Sequence, residues 1–263
     1  LPDAATVAEI SRIQPPTTAE LAALKELLTS RYPHEAATRE PAKTSVSALR
    51  RRAMAVEEEA ATAFSFQRFA ARHPSCVASS ATLSAAESGT AHHTFMELVS
   101  LDRAESELDL QNEAQHLQAA GALTAEEIAA LDFGALAAFW QSELGRRVRD
   151  RRGQAQRELP FTARFQAGEL RALNLVAAGS ELPDDEFVVV QGFADLVVLP
   201  PGEIWLLDFK TDQAKAADLP AKVQLYEPQL KSYALALSRI YRRPVTECWL
   251  CFLAARKSIA VAI

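Results

Sequence analysis

Two residues in the stretch EIWLLDFKTD, residues 203–212, do not suit the element around them. Ile204, Trp205, Leu206 and Leu207 form the continuous apolar run of a buried strand, yet Asp208 follows at once and Lys210 lies two residues on. Upstream, QGFADLVVL carries Asp195, and Pro200, Pro201, Gly202 and Glu203 separate the two runs. If that loop joins an antiparallel pair symmetrically, Leu199 faces Ile204 and Asp195 faces Asp208. Directly opposed residues have Cβ atoms about 4.5–5.5 Å apart. Side chains alternate along a strand, so Lys210 shares the face of Asp208. Two carboxylates and an ammonium therefore converge. Opposed like charges cost stability and raise each other's pKa. A divalent cation removes that cost, and hard oxygen ligands suit magnesium or manganese. A plainer reading has both aspartates reaching solvent at strand ends, with Lys210 an ordinary ion-pair partner, and an isolated D-x-K fits it as well.

Other residues have the chemistry to join such a site. SGTAHHTFMEL opens a helix on which His93 and Glu97 lie one turn apart, although a helical histidine is more often structural than a ligand. Gly89 is one of nine glycines and marks either a close approach to the backbone or a cap. GRRVRDRRGQAQR gathers Arg146, Arg147, Arg149, Arg151, Arg152 and Arg157, and a second cluster is Arg50, Arg51 and Arg52. Either cluster suits a phosphate backbone, as DNA-binding residues, or a solvated helix face beside Glu143 and Asp150. Cys248 and Cys251 form C-x-x-C, and Cys76 is the only other cysteine. Zinc and Fe–S sites take four ligands, and CWLCFLA reads as a buried strand, so no Fe–S cluster is expected.

The elements that must position these residues follow from pattern. The 263 residues are 49% apolar and 24% charged, with a formal net charge of −6, which disfavours nonspecific coating of nucleic acid but not a local basic track. No apolar run approaches the roughly 18 residues of a membrane span, and the N-terminus lacks the pattern of a signal peptide. The absent initiator methionine suggests a piece of a longer chain, and three cysteines suggest an intracellular, cytoplasmic setting. No G-x-x-x-x-G-K-[ST] occurs, so no ATP site is expected. Helical spacing marks AATVAEISRI, TTAELAALKELLTSRY and SVSALRRRAMAVEEEAATAF, the last capped by Ser45 or Ser47, with the polar YPHEAATREPAKTS read as a linker. Three further helical stretches fill 81–145, where Thr124 and Glu127 form a capping box. ELPFTARFQAG, EFVVVQGFADLVVL, EIWLLDFKT and TECWLCFLA read as strands, with the helix YEPQLKSYALALSRIYRR between the last two and Leu230, Ala234, Leu237 and Tyr241 on its apolar face. The expectation is an α/β or α+β domain over 46–263, a helical lead-in over 1–45, and a helical insertion before the last strand.

GTAHH, RELPF, QGFADLV, LLDFKTD and YEPQLKSYALAL, in this order, resemble the RecB-like nuclease module of the PD-(D/E)XK superfamily, most closely the C-terminal nuclease domain of AddA-type helicase–nucleases. YPHEAATREPAKTSVSALR resembles the segment leading into that domain, and the likeness covers most of 30–255. It implies an α/β, restriction-endonuclease-like core, a small mixed sheet flanked by helices. It implies metal ligation by His93, Asp195, Asp208 and the carbonyl of Phe209, with Lys210 catalytic and Glu158 on the first core strand. Gln229 and Tyr233 match a Q-x-x-x-Y motif facing the site or the DNA. Position 92 is usually apolar in the family, so His92 leaves the choice between the two histidines open. Some relatives bind an Fe–S cluster through one cysteine before the core and three after it; here two follow. The implied activity is magnesium- or manganese-dependent hydrolysis of single-stranded DNA, produced by a linked helicase lying before residue 1, in double-strand-break resection and recombination repair. The implied partner is a second protein of AddB type. The alternatives are a catalytically inactive DNA-binding domain of the same fold and a stand-alone exonuclease.

Overall fold

A computed structural model describes residues 16–30, 43–46, 48–49, 83–176 and 187–263. Arg50, Arg51, Arg52 and Cys76, the helix expected at 4–13 and most of that expected at 45–64 lie outside the described residues. Two compact units are present, Leu1–Glu40 and Pro41–Ile263. In the first, α1 (Thr18–Thr29) starts at a capping box between Thr17 and Glu20 and exposes Leu21, Leu24, Leu27 and Leu28. Among the described residues, no helix is long and apolar enough to cross a membrane.

The second unit holds the expected small mixed sheet, six strands among the described residues, flanked by helices. Between β1 (Lys43–Ser45) and the next strand, the described residues include the helices α2 (Ala85–Leu98), α3 (Glu107–Ala119), α4 (Ala125–Ala129), α5 (Phe133–Gln141) and α6 (Glu143–Asp150). Then come β2 (Ala155–Gln166), α7 (Ala167–Ala172), β3 (Phe187–Val198), β4 (Ile204–Lys210), α8 (Leu219–Tyr241), β5 (Val245–Phe252) and β6 (Lys257–Ala260). β2 pairs antiparallel with one edge of β3 over nearly its whole length. The other edge of β3 is shared: β1 pairs in parallel at Val189–Gln191, and β4 pairs antiparallel at Leu196–Val198. β4 and β5 are parallel, a connection that needs a crossover, and α8 supplies it. β6 closes the far edge against β5.

Both faces of the sheet are covered, which explains the unbroken apolar run of β4. Ile204 and Leu206 enter one core with Phe161, Phe165, Leu230 and Leu237 beneath α8. Trp205, Leu207 and Phe209 enter the other with Phe95, Leu110 and Trp140 beneath the helices that precede β2.

Three local features differ from the sequence expectation. Lys43–Ser45, read as linker, forms β1, and Ser45 Oγ then accepts from Ala48 N at 3.1 Å, as expected of a helix cap. The stretch TAEEIAALDFGALAAFWQSELG is three helices, because Asp132 caps α5 through Ala135 N and Ser142 caps α6 through Gly145 N. A Cβ at Gly145 would lie 2.1 Å from Phe139 O, so only glycine allows that sharp joint. α8 begins at Leu219, well before Tyr226, with Pro220 in its first turn and Pro228 retained in its interior.

Candidate active site

The hairpin turns at Gly202, whose φ of 86° is left-handed. Its ladder pairs Val198 with Trp205, Val197 with Leu206 and Leu196 with Leu207, the register that sets Asp195 against Asp208. Beyond Leu196 and Leu207 the two strands part, and Asp195 spans the fork: its Oδ2 accepts from Phe209 N at 2.7 Å. On the opposite edge of β3, Arg157 pairs with Leu196 and Leu159 with Ala194, so Glu158 lies across from Asp195. Glu158, Asp195 and Asp208 thus form a row across three neighbouring strands. Glu158 has φ 46°, a conformation that costs a non-glycine residue about 1–3 kcal/mol. It also resets the pleat: Ala155 packs in the core beneath α2–α6, whereas Phe161 and Phe165 pack beneath α8.

α2 brings His93 to this row. Ser84 and Glu87 form its capping box, while Ala91, Phe95 and Met96 bury its inner face. A Cβ at Gly89 would lie 2.9 Å from Thr211 Oγ1, so the glycine makes room for that side chain just past β4, the first of the two readings open at this position. His93 Nδ1 lies 3.5 Å from Asp195 Oδ2 and 4.0 Å from Glu158 Oε1. One ligand atom from each of His93, Glu158 and Asp195 falls within 4.8 Å of the others. Asp208 stands outside this trio, with its Oδ2 2.7 Å from Lys210 Nζ. That contact lacks the alignment of a hydrogen bond, so Oδ2 is a buried carboxylate oxygen without one.

His92 points elsewhere. Its Nδ1–H donates to Ser88 O at 2.8 Å and its Nε2 accepts from Asp132 N at 3.0 Å, so both ring nitrogens are engaged. Burial holds its pKa below the ordinary histidine value of 6.5. The neutral ring is the native form, so its contribution to stability is full above that value and is lost as the pH falls below it. His92→Ala is expected to cost about 1–3 kcal/mol at pH 8 and less near pH 5, as read by urea unfolding. Equal losses at both pH values would contradict this role.

Lys210 Nζ lies 4.3 Å from the centre of the Tyr226 ring. Gln229 and Tyr233 are buried on the α8 face of the sheet, where Gln229 Nε2 donates to Tyr233 Oη at 3.1 Å. The Tyr233 ring meets Phe161 edge-on, and a Cβ at Gly192 would lie 2.6 Å from Phe161 Cζ, so the glycine of QGFADLV admits this packing. Tyr226, against Lys210, and the pair Asp212 and Lys222 behind it were not among the expected site residues; Tyr226 Oη donates to Asp212 Oδ2 at 3.2 Å, and Lys222 pairs with the same oxygen. The signal that could have found them is the four-residue spacing of Lys222 and Tyr226 on one helix face.

The arginines of GRRVRDRRGQAQR are mostly committed within the protein. Arg147 makes a two-pronged ion pair with Glu247, and Arg147 and Arg151 each lie 4.4 Å from the centre of the Trp205 ring. Arg149 pairs with Glu105 at 3.3 Å and Arg152 with Asp102 at 2.5 Å. Arg157 donates to Val99 O at the C-cap of α2, and burial lowers its pKa. Arg146 is exposed on α6.

Cys248 and Cys251 enter the two different cores, so they lie on opposite faces of β5 and cannot grip one ion together. Burial pushes both thiols up to about 12. Native protein at pH 8.5 is therefore expected to resist alkylation at both positions, read by peptide mass spectrometry, and to react at both once unfolded. Rapid native labelling of either would contradict this.

A family model described as the PD-(D/E)XK nuclease superfamily matches residues 53–261. An ATP-dependent helicase/nuclease protein of Listeria innocua is 32% identical over 231 residues, covering 84% of this chain and 18% of that protein. The protein of the same name from Moorella thermoacetica is 33% identical over 222 residues, covering 84% of this chain and 15% of its own length. That from Geobacillus kaustophilus is 32% identical over 243 residues, covering 86% and 18%. The chain thus spans less than a fifth of these relatives.

Proposed function

Because the chain belongs to the PD-(D/E)XK nuclease superfamily, we propose that it is a metal-dependent deoxyribonuclease domain. Its substrate is single-stranded DNA, produced at a broken duplex end by a helicase part of a longer polypeptide during recombination repair in the cytoplasm. The observation that carries this reading is the meeting of His93, Glu158 and Asp195 at the strand fork, one strand from the Asp208–Lys210 pair. The helicase part is inferred from the names and greater lengths of the relatives, and a second protein of AddB type from the family resemblance.

The residues fit a small hard cation. In an octahedral site adjacent ligand atoms lie roughly 3 Å apart and opposed ones roughly 4 Å apart, a spacing compatible with the 4.8 Å limit of the trio. Asp208 Oδ2, buried without a hydrogen bond, is a further oxygen donor. His93, Asp195 and Asp208 would hold the ion with the carbonyl of Phe209, and Glu158 adds charge to the same pocket. When bound, the ion lowers the pKa of a coordinated water and offsets the charge of the scissile phosphate. A histidine ligand favours manganese, while cellular abundance favours magnesium. Lys210 orients the attacking water or stabilises the charge developing on the phosphate. Gln229 and Tyr233, joined to each other on the α8 face that also carries Tyr226 beside Lys210, face the site or the DNA. Arg146, Arg147, Arg149, Arg151 and Arg152 guide the strand, and Arg146, Arg151 and Arg152 are the exposed members of the set.

Crystals soaked in manganese test the ligand set. Anomalous density is expected in contact with His93 and Asp195, and calcium should bind there without supporting cleavage, because its looser coordination positions water poorly. Density held by His92 would overturn the assignment.

A further inference from the structure

The ammonium of Lys210 is held from two sides. Asp208 Oδ2 lies 2.7 Å from it, and the Tyr226 ring centre lies 4.3 Å away. The ring is itself tethered. Its hydroxyl donates to Asp212 Oδ2 at 3.2 Å, and Lys222 Nζ pairs with the same oxygen. Lys222 and Tyr226 are four residues apart near the start of α8, and Asp212 is two residues beyond Lys210, so the tether joins the helix start to the chain leaving β4. The ring also meets that of Phe252 of β5, tilted, with 6.3 Å between the ring centres. A lysine on a flexible four-carbon stem loses catalytic value when its ammonium wanders, and an aromatic face together with a carboxylate defines one position for it. The carboxylate alone leaves the ammonium free to pivot about Oδ2.

We propose that Tyr226, anchored by Asp212 and Lys222, is a positioning residue that fixes the ammonium of Lys210 over the strand fork. This rests on the nuclease reading above, because the position fixed is that of the group assigned to the transition state. Tyr226 acts through Lys210 and does not touch the ion or the substrate.

Two readouts test it on the 263-residue chain. In protein carrying 13Cε-lysine, the Lys210 ε-methylene protons should be shifted upfield by the Tyr226 ring. The shift should vanish in Tyr226→Leu and persist in Tyr226→Phe, which keeps the ring but loses its tether. In cleavage of labelled single-stranded DNA with manganese, Tyr226→Leu should lower kcat about tenfold with KM and manganese affinity unchanged. Tyr226→Phe should lose about threefold or less. In a Lys210→Ala background, Tyr226→Leu should cause no further loss, since its effect passes through the missing lysine. An unchanged Lys210 resonance in Tyr226→Leu, or losses that multiply in the double variant, would overturn the proposal. If the unaltered chain shows the resonance shift but cuts no DNA, the contact stands and the nuclease reading fails by itself.

Discussion

Lys210→Ala is expected to slow metal-dependent cleavage of single-stranded DNA about 100- to 1000-fold while leaving manganese and DNA affinity close to that of the unaltered chain. The reason lies in the geometry. The ammonium sits beside Asp208 at 2.7 Å, but Asp208 Oδ2 gains no aligned hydrogen bond from it. Lysine therefore contributes charge close to a carboxylate that remains able to bind a cation. Removing it takes away stabilisation that matters when charge builds on the phosphate, and losing one such contact typically costs about two to three orders of magnitude. On the proposed function, binding rests on phosphate contacts elsewhere, so it should change little. Calorimetry with manganese and stopped-time cleavage assays separate the two effects. A loss of manganese binding equal to the loss of rate would contradict this division of labour.

His93→Ala is expected to weaken manganese binding by about 100-fold or more and to abolish cleavage at micromolar metal, since changes to groups that merely orient a metal ligand already cost about 10- to 100-fold. His92→Ala should leave manganese affinity unchanged in protein that remains folded. The two rings are neighbours in sequence but point apart on α2. His93 lies 3.5 Å from Asp195 Oδ2, while His92 is tied to Ser88 and Asp132. Calorimetric titration of both variants reads the difference. Equal effects, or a larger effect at His92, would reverse the assignment.

Much of the site was legible because its geometry is local. The Asp195–Asp208 register follows from a short hairpin, and the alternation of β4 places Lys210 beside Asp208. Glu158 is different. The connection from β2 to β3 holds a helix and spans residues 167–186, so nothing local fixes its register. Only the assembled sheet sets Glu158 opposite Asp195, and its left-handed backbone carries no glycine to announce it. The arginine cluster shows its charge in the sequence but not its partners. A run of cations reads as a phosphate track, but Glu105, Glu247, Asp102 and Trp205 approach it from distant parts of the chain. The boundaries of α4, α5 and α6 were blurred because Asp132 and Ser142 sit within an otherwise continuous helical pattern; each becomes a cap once packing bends the chain there. The two histidines could not be told apart from spacing, since the difference lies in which partners from distant elements each ring meets.

On the proposed function, phosphodiester bonds are cut at the strand fork with a divalent cation held there. End-labelled single-stranded DNA, incubated with the unaltered chain and with Asp208→Ala, in magnesium, manganese, calcium or a chelator, tests it most directly. The expected result is cleavage by the unaltered chain in magnesium or manganese, none in calcium or chelator, and none by Asp208→Ala in any of them. DNA that is bound but left intact by the unaltered chain with every metal, or cut equally well by Asp208→Ala, would contradict it.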